Sequence, residues 1–253
     1  MVKPEELIRN DIPYQRDGKI FHFILNEEEQ PAWSKALEDY LVSNRVNLQM
    51  KRKYTYQKQM MTRDEKRKHF VDAVSSGQVI VDLASGPSGY FAPVLDSIEE
   101  DTLFIATDAC PSVLQAHAKA CRKENFYLFD TDLDRELPFR DESIDVFCGN
   151  LLNNVNNYDG LIREAYRCLK PGGKFCVIEM FFDQASVSYK SLKDQKKIWA
   201  SPETYADYCH SLGFDFTGSD ILLTRRGKFS ESDYYPLDEN DVMTIRTMYF
   251  EKN

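Results

Sequence analysis

Between residues 79 and 180 the chain alternates between two kinds of hydrophobic pattern. Short continuous apolar runs occupy Val79–Leu83, Leu103–Thr107, Phe126–Phe129, Ile144–Gly149 and Lys174–Met180. Between them, at about 89–98, 112–122 and 159–169, apolar residues recur at helical spacing. Runs of that length bounded by turn residues read as buried strands, and their alternation with helices predicts βαβ units. The expected fold is therefore α/β: a doubly wound, mostly parallel sheet with helices on both faces. Ligands of such sheets bind at the carboxyl ends of the strands, where the strand order reverses.

The pattern changes toward the C-terminus. Residues 201–214, SPETYADYCHSLGF, read as a helix with Ser201 as cap, Pro202 in the first turn and Gly213 as terminator. Two long strand candidates follow, at about 214–225 and 242–251, with an acidic loop and no helix between them. Consecutive strands without a crossover are most simply antiparallel. A parallel sheet of seven strands is thus expected to end in an antiparallel hairpin.

Residues 1–75 follow neither pattern. Asp17-Gly18 lies between two short apolar or aromatic runs, a hairpin signal. Asn26 is a candidate cap for a helix carrying Trp33, Leu37, Tyr40 and Leu41, and a second helix is expected over about 61–75. This predicts two units: an N-terminal lid or appendage over 1–75, made of a hairpin and helices, and a main domain over 76–253. Within the latter, 184–200 is expected to be an insertion that covers a substrate.

Composition narrows the function classes. Charged residues make up 29% and the net charge is −9, which argues against general nucleic-acid or anionic-membrane binding. The six cysteines form no C-x-x-C pair and the four histidines are scattered, so neither a metal site nor a disulfide framework is expected. The first ten residues have no apolar core of the kind a signal peptide needs, and no apolar run reaches the length of a membrane span. A cytoplasmic location with no membrane partner is the expectation.

The stretch VIVDLASGPSGYF (79–91) places a glycine-containing turn after the first strand of the main domain. Two cofactors fit it locally. Ala84-x-Gly86-x-x-Gly89 is the dinucleotide fingerprint with its first glycine replaced, and Asp108 lies 22 residues beyond Gly86, where a ribose-binding acid is expected. A nicotinamide-dependent oxidoreductase is one reading. Asp82, inside the strand, speaks against it: a carboxylate is unfavourable beside a pyrophosphate and favourable beside an ammonium group. Further along, DTDLDRELPFRDESIDVF (130–147) sets Asp132-Leu133 after the third strand and runs Leu-Pro-Phe into the fourth. EAYRCLKPGGKFCVIE (164–179) is helix, Pro-Gly-Gly turn and fifth strand.

In this order and spacing the segments resemble the class I S-adenosylmethionine-dependent methyltransferases, in the branch with a D-x-G-x-G-P-x-G first motif. The resemblance covers about 77–183 strongly and continues into the tail. It implies a Rossmann-like fold with S-adenosylmethionine as cofactor. It also implies that Asp82 faces the methionine ammonium, that Ala84, Ser85 and Gly86 line the methionine and ribose portion, and that Asp108, followed by Ala109, accepts from the ribose hydroxyls. Asp132 and Leu133 would meet the adenine, while Asn150 and Leu151 would pass beside the sulfonium. Ala84 departs from the family's glycine. A regulatory, non-catalytic cofactor-binding protein is a third reading.

Methyl transfer needs a general base only when the nucleophile arrives protonated. No histidine is expected at the carboxyl end of a strand. Glu179 and Asn154 are the candidates for a catalytic role, and no other catalytic residue is assigned. Two basic stretches, 51–68 with eight Lys or Arg against two acids and 189–197 with four Lys against one, point to an acidic small-molecule substrate. Tyr54, Tyr56, Asn153 and Asn154 are the expected pocket residues. Nucleic acid is not an expected partner, and the oligomeric state is not legible.

Overall fold

The computed structural model describes residues 2–231 and 233–253. Its centre is one mixed sheet in the order β1-β2-β5-β4-β3-β6-β7-β9-β8. Five parallel strands carry the middle: β3 Val79–Leu83, β4 Leu103–Asp108, β5 Phe126–Asp130, β6 Ile144–Asn150 and β7 Leu169–Phe182. The two tail strands, β8 Phe214–Arg226 and β9 Val242–Lys252, form the expected antiparallel hairpin, with β9 inserted between β7 and β8. The chain proceeds outward from β3 through β4 to β5, then returns to β3's other side for β6. The strand order therefore reverses between β3 and β6.

Among the described residues the sheet has nine strands where seven were expected. The Asp17-Gly18 hairpin, β1 Gln15–Asp17 and β2 Ile20–His22, does not stand apart from it. β2 pairs in parallel with β5, Ile20 opposite Leu128 and His22 opposite Asp130. This burial of Ile20 and Phe21 closes an edge that would otherwise expose unpaired peptide groups. It also places His22 at the carboxyl end of a strand, contrary to the sequence expectation. The His22 Nδ1 lies 2.8 Å from Asp130 Oδ2.

Alternation along the strands divides the core. Val79, Val81 and Leu83 face one side with Leu103, Ile105, Phe147 and Val177, under α7 Tyr158–Cys168 and α9 Pro202–Ser211. Ile80, Phe104, Phe126 and Ile178 face the other, under α4 Glu65–Val74, α5 Ala92–Ser97 and α6 Pro111–Ala120. Both faces are covered, so the strands read as continuous apolar runs rather than as polar-apolar alternation. Asp82 shares the parity of Ile80 and so shares its face, at the rim.

A short first helix, α1 Pro4–Leu7, precedes the hairpin, and the helices of 26–75 differ from expectation. Asn26 Oδ1 accepts from the backbone N–H groups of Glu28 and Glu29, closing a turn, and α2 Ala32–Ser43 starts only after Pro31. Pro31 takes the N-cap position in non-helical backbone, and its carbonyl accepts from Lys35 N at 3.0 Å. A helix that the pattern did not single out, α3 Met50–Met61, occupies the basic stretch and buries Met50, Tyr54 and Met61. The helix expected from residue 61 begins at Glu65, where Asp64 caps it by accepting from Arg67 N at 3.0 Å. In the tail the sequence signals hold locally: Ser201 Oγ accepts from Thr204 N at 3.1 Å, and Gly213 ends the segment at φ +105°.

Candidate active site

The site forms where β3 and β6 diverge. β3 ends at Leu83, and the chain turns back through Ala84 (φ +52°), Gly86 (φ +56°) and Gly89 (φ +65°). The Thr107 side chain and carbonyl hold the start of the turn, accepting from Ala84 N and Ser85 N at 3.2 and 2.8 Å. Gly89 is constrained twice, because a Cβ there would meet the Tyr54 ring at 2.6 Å. Gly86 differs: a Cβ would meet nothing within 4 Å and would project into open space.

Ala84 is a non-glycine residue in the left-handed region, where a Cβ costs about 1–2 kcal/mol. Glycine relieves that cost but widens the unfolded ensemble by about 0.4–1 kcal/mol. The Ala84→Gly variant is expected to gain roughly 0.5–1 kcal/mol in urea unfolding. A loss of stability would show that the methyl group packs usefully.

Two buried carboxylates flank the turn. Asp82 is 5% exposed; its Oδ2 accepts from the Ser85 hydroxyl at 2.5 Å and its Oδ1 faces the Cys148 thiol at 3.4 Å. Burial pushes its pKa up to about 7, against the pull of the Ser85 and Cys148 hydrogen bonds. Asp108, the last residue of β4, accepts from Gly86 N at 2.9 Å and from Cys110 N at 2.8 Å. Burial raises it to about 6, with those peptide N–H groups opposing. Among the described residues the partners of both acids are hydroxyl, thiol and peptide groups, not cations. Buried carboxylates in that condition are poised to take a positive or hydroxyl-rich ligand.

Two adjoining hollows open between these groups. One, of about 190 Å³, is lined by Ala84, Gly86, Asp108, Ala109, Asp132, Leu133, Asn150 and Leu151, with Trp33, Leu37, Pro87, Thr131, Asp134, Asn154 and Val155. The other, of about 210 Å³, is lined by Asp82, Ala84, Ser85, Gly86, Ser88, Tyr90, Asn150, Leu151 and Asn154. All ten residues assigned to the cofactor from the sequence line one hollow or the other. Leu151, at φ +56°, turns the chain between them.

Trp33 and Leu37 had not been assigned to the site. They lie one turn apart on α2, and helix α2 is latched over the rim by two contacts. The Ser34 hydroxyl donates to Ala109 C=O at 2.5 Å. The Glu38 carboxylate accepts from Ser112 N at 2.8 Å and Ser112 Oγ at 2.6 Å, at the N-terminus of α6, where an anion is favoured. The i, i+4 spacing of Trp33 and Leu37 was visible, but the surface it faces is a tertiary fact.

The other candidates fall elsewhere. Tyr54 is buried; its hydroxyl lies 2.8 Å from His117 Nδ1, and its ring fills the space beside Gly89. Tyr56 is exposed and lines a third, broader hollow of about 560 Å³ with Val46, Leu48, Arg52, Lys53, Pro87 and Ser88. No carboxylate lines that hollow among the described residues, and Lys53 Nζ reaches Pro87 C=O at 2.7 Å. Asn153 lines none of the three, and neither does any residue of 184–200. That segment forms α8 Val187–Asp194, whose first N–H groups are held by the Asp241 carboxylate at 2.8 Å.

Glu179 is fully buried and lines neither the first nor the second hollow. Its Oε1 accepts from Leu152 N at 3.0 Å and from the Tyr158 hydroxyl at 2.6 Å, and the Tyr158 oxygen lies 2.6 Å from that of Tyr205. Oε2 has no partner. Burial pushes the pKa up to about 8. A carboxyl whose folded pKa is raised keeps its proton while the unfolded chain ionises, so stability is lost as pH climbs from the unfolded value to about 8. The Glu179→Gln variant is therefore expected to gain about 1–3 kcal/mol on the wild type between pH 5 and pH 8, measured by urea unfolding. A constant difference across that range would mean that the carboxyl is ionised throughout.

The strand order β5-β4-β3-β6-β7-β9-β8 sets the two carboxylates on the adjacent strands β3 and β4, beside the reversal. Residues 81–177 match the family described as a methyltransferase domain. The demethylmenaquinone methyltransferase of Tropheryma whipplei is 33% identical over 111 residues, covering 42% of this chain and 43% of that protein. The ubiquinone/menaquinone biosynthesis C-methyltransferase UbiE of Haemophilus ducreyi is 30% identical over 124 residues, 46% of this chain and 48% of that protein. The chain thus spans less than half the length of these curated relatives. Among solved structures, geranyl diphosphate methyltransferase in complex with S-adenosylmethionine superimposes with a TM-score of 0.55 at 10% identity, over 74% of this chain and 84% of that one. The [4+2]-cyclase SpnF gives 0.55 at 16% identity, over 74% of this chain and 81% of that one. At such identities the superpositions speak for the fold alone.

Proposed function

We propose that the chain is an enzyme that methylates a small molecule with S-adenosylmethionine as donor. The observation that carries this reading is the pair of buried, cation-free carboxylates, Asp82 and Asp108, on either side of a turn whose Gly86 leaves open space in front of the backbone. A group with an ammonium at one end and a ribose diol at the other fits that spacing in kind. Asp82 would hold the ammonium and Asp108 the diol; Asp132 and Leu133, under Trp33, would hold the base; Asn150 and Leu151 would flank the sulfur. When bound, the cofactor supplies an electrophilic methyl group on a sulfonium.

This chain's own residues then contribute orientation and the exclusion of water. Asn154, which lines both hollows, orients the acceptor without taking its proton. Glu179 is neutral near pH 7 and enclosed, and burial holds His117 at about 4, so neither serves as base. That favours an acceptor that arrives already nucleophilic, with catalysis by proximity.

The third hollow, lined by Arg52 and Lys53, bounded by Ser88 and free of acids among its described lining residues, supports an acidic acceptor. The names of the sequence relatives point instead to quinone-type rings. Turnover to S-adenosylhomocysteine with a panel of carboxylates, phosphates and quinols separates the two. Activity confined to neutral quinols would remove the acidic reading. The nicotinamide reading rests on Ala84-x-Gly86-x-x-Gly89 and Asp108. Calorimetry with S-adenosylhomocysteine and with NAD decides between the cofactors, and binding of NAD alone would reject the proposal.

A further inference from the structure

We infer that Tyr54 and His117 are positioning residues for the cofactor turn, linking helix α3 through hydrogen bonds to the carbonyl of Gly86, the residue whose N–H meets Asp108. The inference rests on the cofactor reading above and concerns residues on the far side of the turn from the ligand.

The proton arrangement follows from the acceptors. His117 is fully buried, with Nε2 2.8 Å from Gly86 O and Nδ1 2.8 Å from the Tyr54 oxygen. A carbonyl can only accept, so Nε2 carries the hydrogen. Burial keeps the imidazole neutral, so Nδ1 is the acceptor and the Tyr54 hydroxyl donates to it. The series continues on the other side of the same residue, where Gly86 N–H donates to Asp108 Oδ2 at 2.9 Å. Both polar groups of Gly86 are therefore fixed, one from the end of β4 and one from α3 by way of α6.

The helix grips the turn at two further points. Lys53 Nζ donates to Pro87 C=O at 2.7 Å, and the Tyr54 ring occupies the position a Cβ on residue 89 would take. The imidazole also packs against Phe91, with centroids 5.1 Å apart, and stacks on Tyr54 at an interplanar angle of 25°. Apolar side chains would fill this space without burying a hydroxyl and an imidazole, whose burial is costly unless paired. What the polar pair adds is direction: it fixes the Gly86–Pro87 peptide plane, on the other side of the Gly86 α-carbon from the peptide that Asp108 holds, so that the two together set the backbone angles of Gly86. Gly86 lacks a Cβ and sits at positive φ, so its own conformational preference does not hold that plane.

The test compares affinity for S-adenosylhomocysteine with thermal stability across four full-length proteins: wild type, His117→Leu, His117→Gln and Tyr54→Phe. His117→Leu keeps bulk and removes the donor; His117→Gln restores an N–H donor. The expected result is a loss of affinity of roughly tenfold for His117→Leu and about threefold for Tyr54→Phe, with His117→Gln recovering most of it. The loss should not track the melting temperature. Imidazole 15N shifts in the wild type should show a neutral ring protonated at Nε2. If His117→Leu does not fold, Tyr54→Phe, which removes a single oxygen, decides. Unchanged affinity in folded variants overturns the inference while leaving the cofactor reading intact. Absence of binding in the wild type overturns both.

Discussion

Replacing Asp108 by alanine is expected to weaken S-adenosylhomocysteine binding by roughly 100- to 1,000-fold. The carboxylate already accepts from Gly86 N and Cys110 N through its two oxygens. Each oxygen keeps acceptor capacity toward the hollow that Asp108 lines. Two charge-assisted bonds to ribose hydroxyls, at about 1.5–3 kcal/mol each, account for a loss of that size. The alanine variant also strands two N–H groups, at about 1–3 kcal/mol apiece, so part of the effect will appear as lower stability. Calorimetry below the variant's melting transition, with Asp108→Asn beside it, separates the two. Asn retains one acceptor oxygen and should fall between wild type and alanine. A folded Asp108→Ala protein with undiminished affinity would sink the ribose assignment and, with it, much of the cofactor reading.

The second large effect is a pH dependence. With no cation beside it, Asp82 holds its proton up to about pH 7 because burial disfavours the charged form. A ligand ammonium favours the carboxylate, so binding below that value must expel the proton. Affinity for S-adenosylhomocysteine is then expected to rise by up to tenfold per pH unit between about 6 and 7, and to level off above. Below about 6 the slope steepens, because Asp108 begins to titrate as well. The free protein moves the other way: a raised folded pKa means that stability is present at low pH and declines as pH climbs toward 7. The ligand should accordingly stabilise most at alkaline pH. Calorimetry at pH 6, 7 and 8 in buffers of differing ionisation enthalpy measures both the affinity and the protons released. Asp82→Asn should remove the slope between 6 and 7. A flat profile in the wild type would place the ammonium elsewhere.

How much of this was legible in the sequence varies from residue to residue. Asp82, Ala84, Ser85, Gly86, Asp108, Ala109, Asp132, Leu133, Asn150 and Leu151 were placed together because each ends a strand or follows one, and parallel strands deliver their ends to one rim. The orientation of Tyr54 and of Glu179 was not legible, for a common reason. Position along the chain says which element carries a side chain but not which way it points. Tyr54 turns inward to His117, and Glu179 lies under the loop after β6. Trp33 and Leu37 were read as a helix face without the surface it covers, since α2 is placed by Ser34 and Glu38 meeting residues 109–112. Ala84 was recognised as a departure from glycine, but its left-handed backbone was not foreseen.

Local pattern alone determined the strands β3–β9, the crossover helices and the C-terminal hairpin. Hydrophobic periodicity and turn chemistry are short-range, and they act before the chain is folded. Tertiary structure decided the rest. Three residues, Ile20–His22, join a strand more than a hundred positions away, a helix from the N-terminal region packs on the turn after β3, and a carboxyl is enclosed until it holds its proton at neutral pH. These depend on which surfaces meet, and on how much water is expelled when they do. Neither quantity is a property of any one stretch of residues.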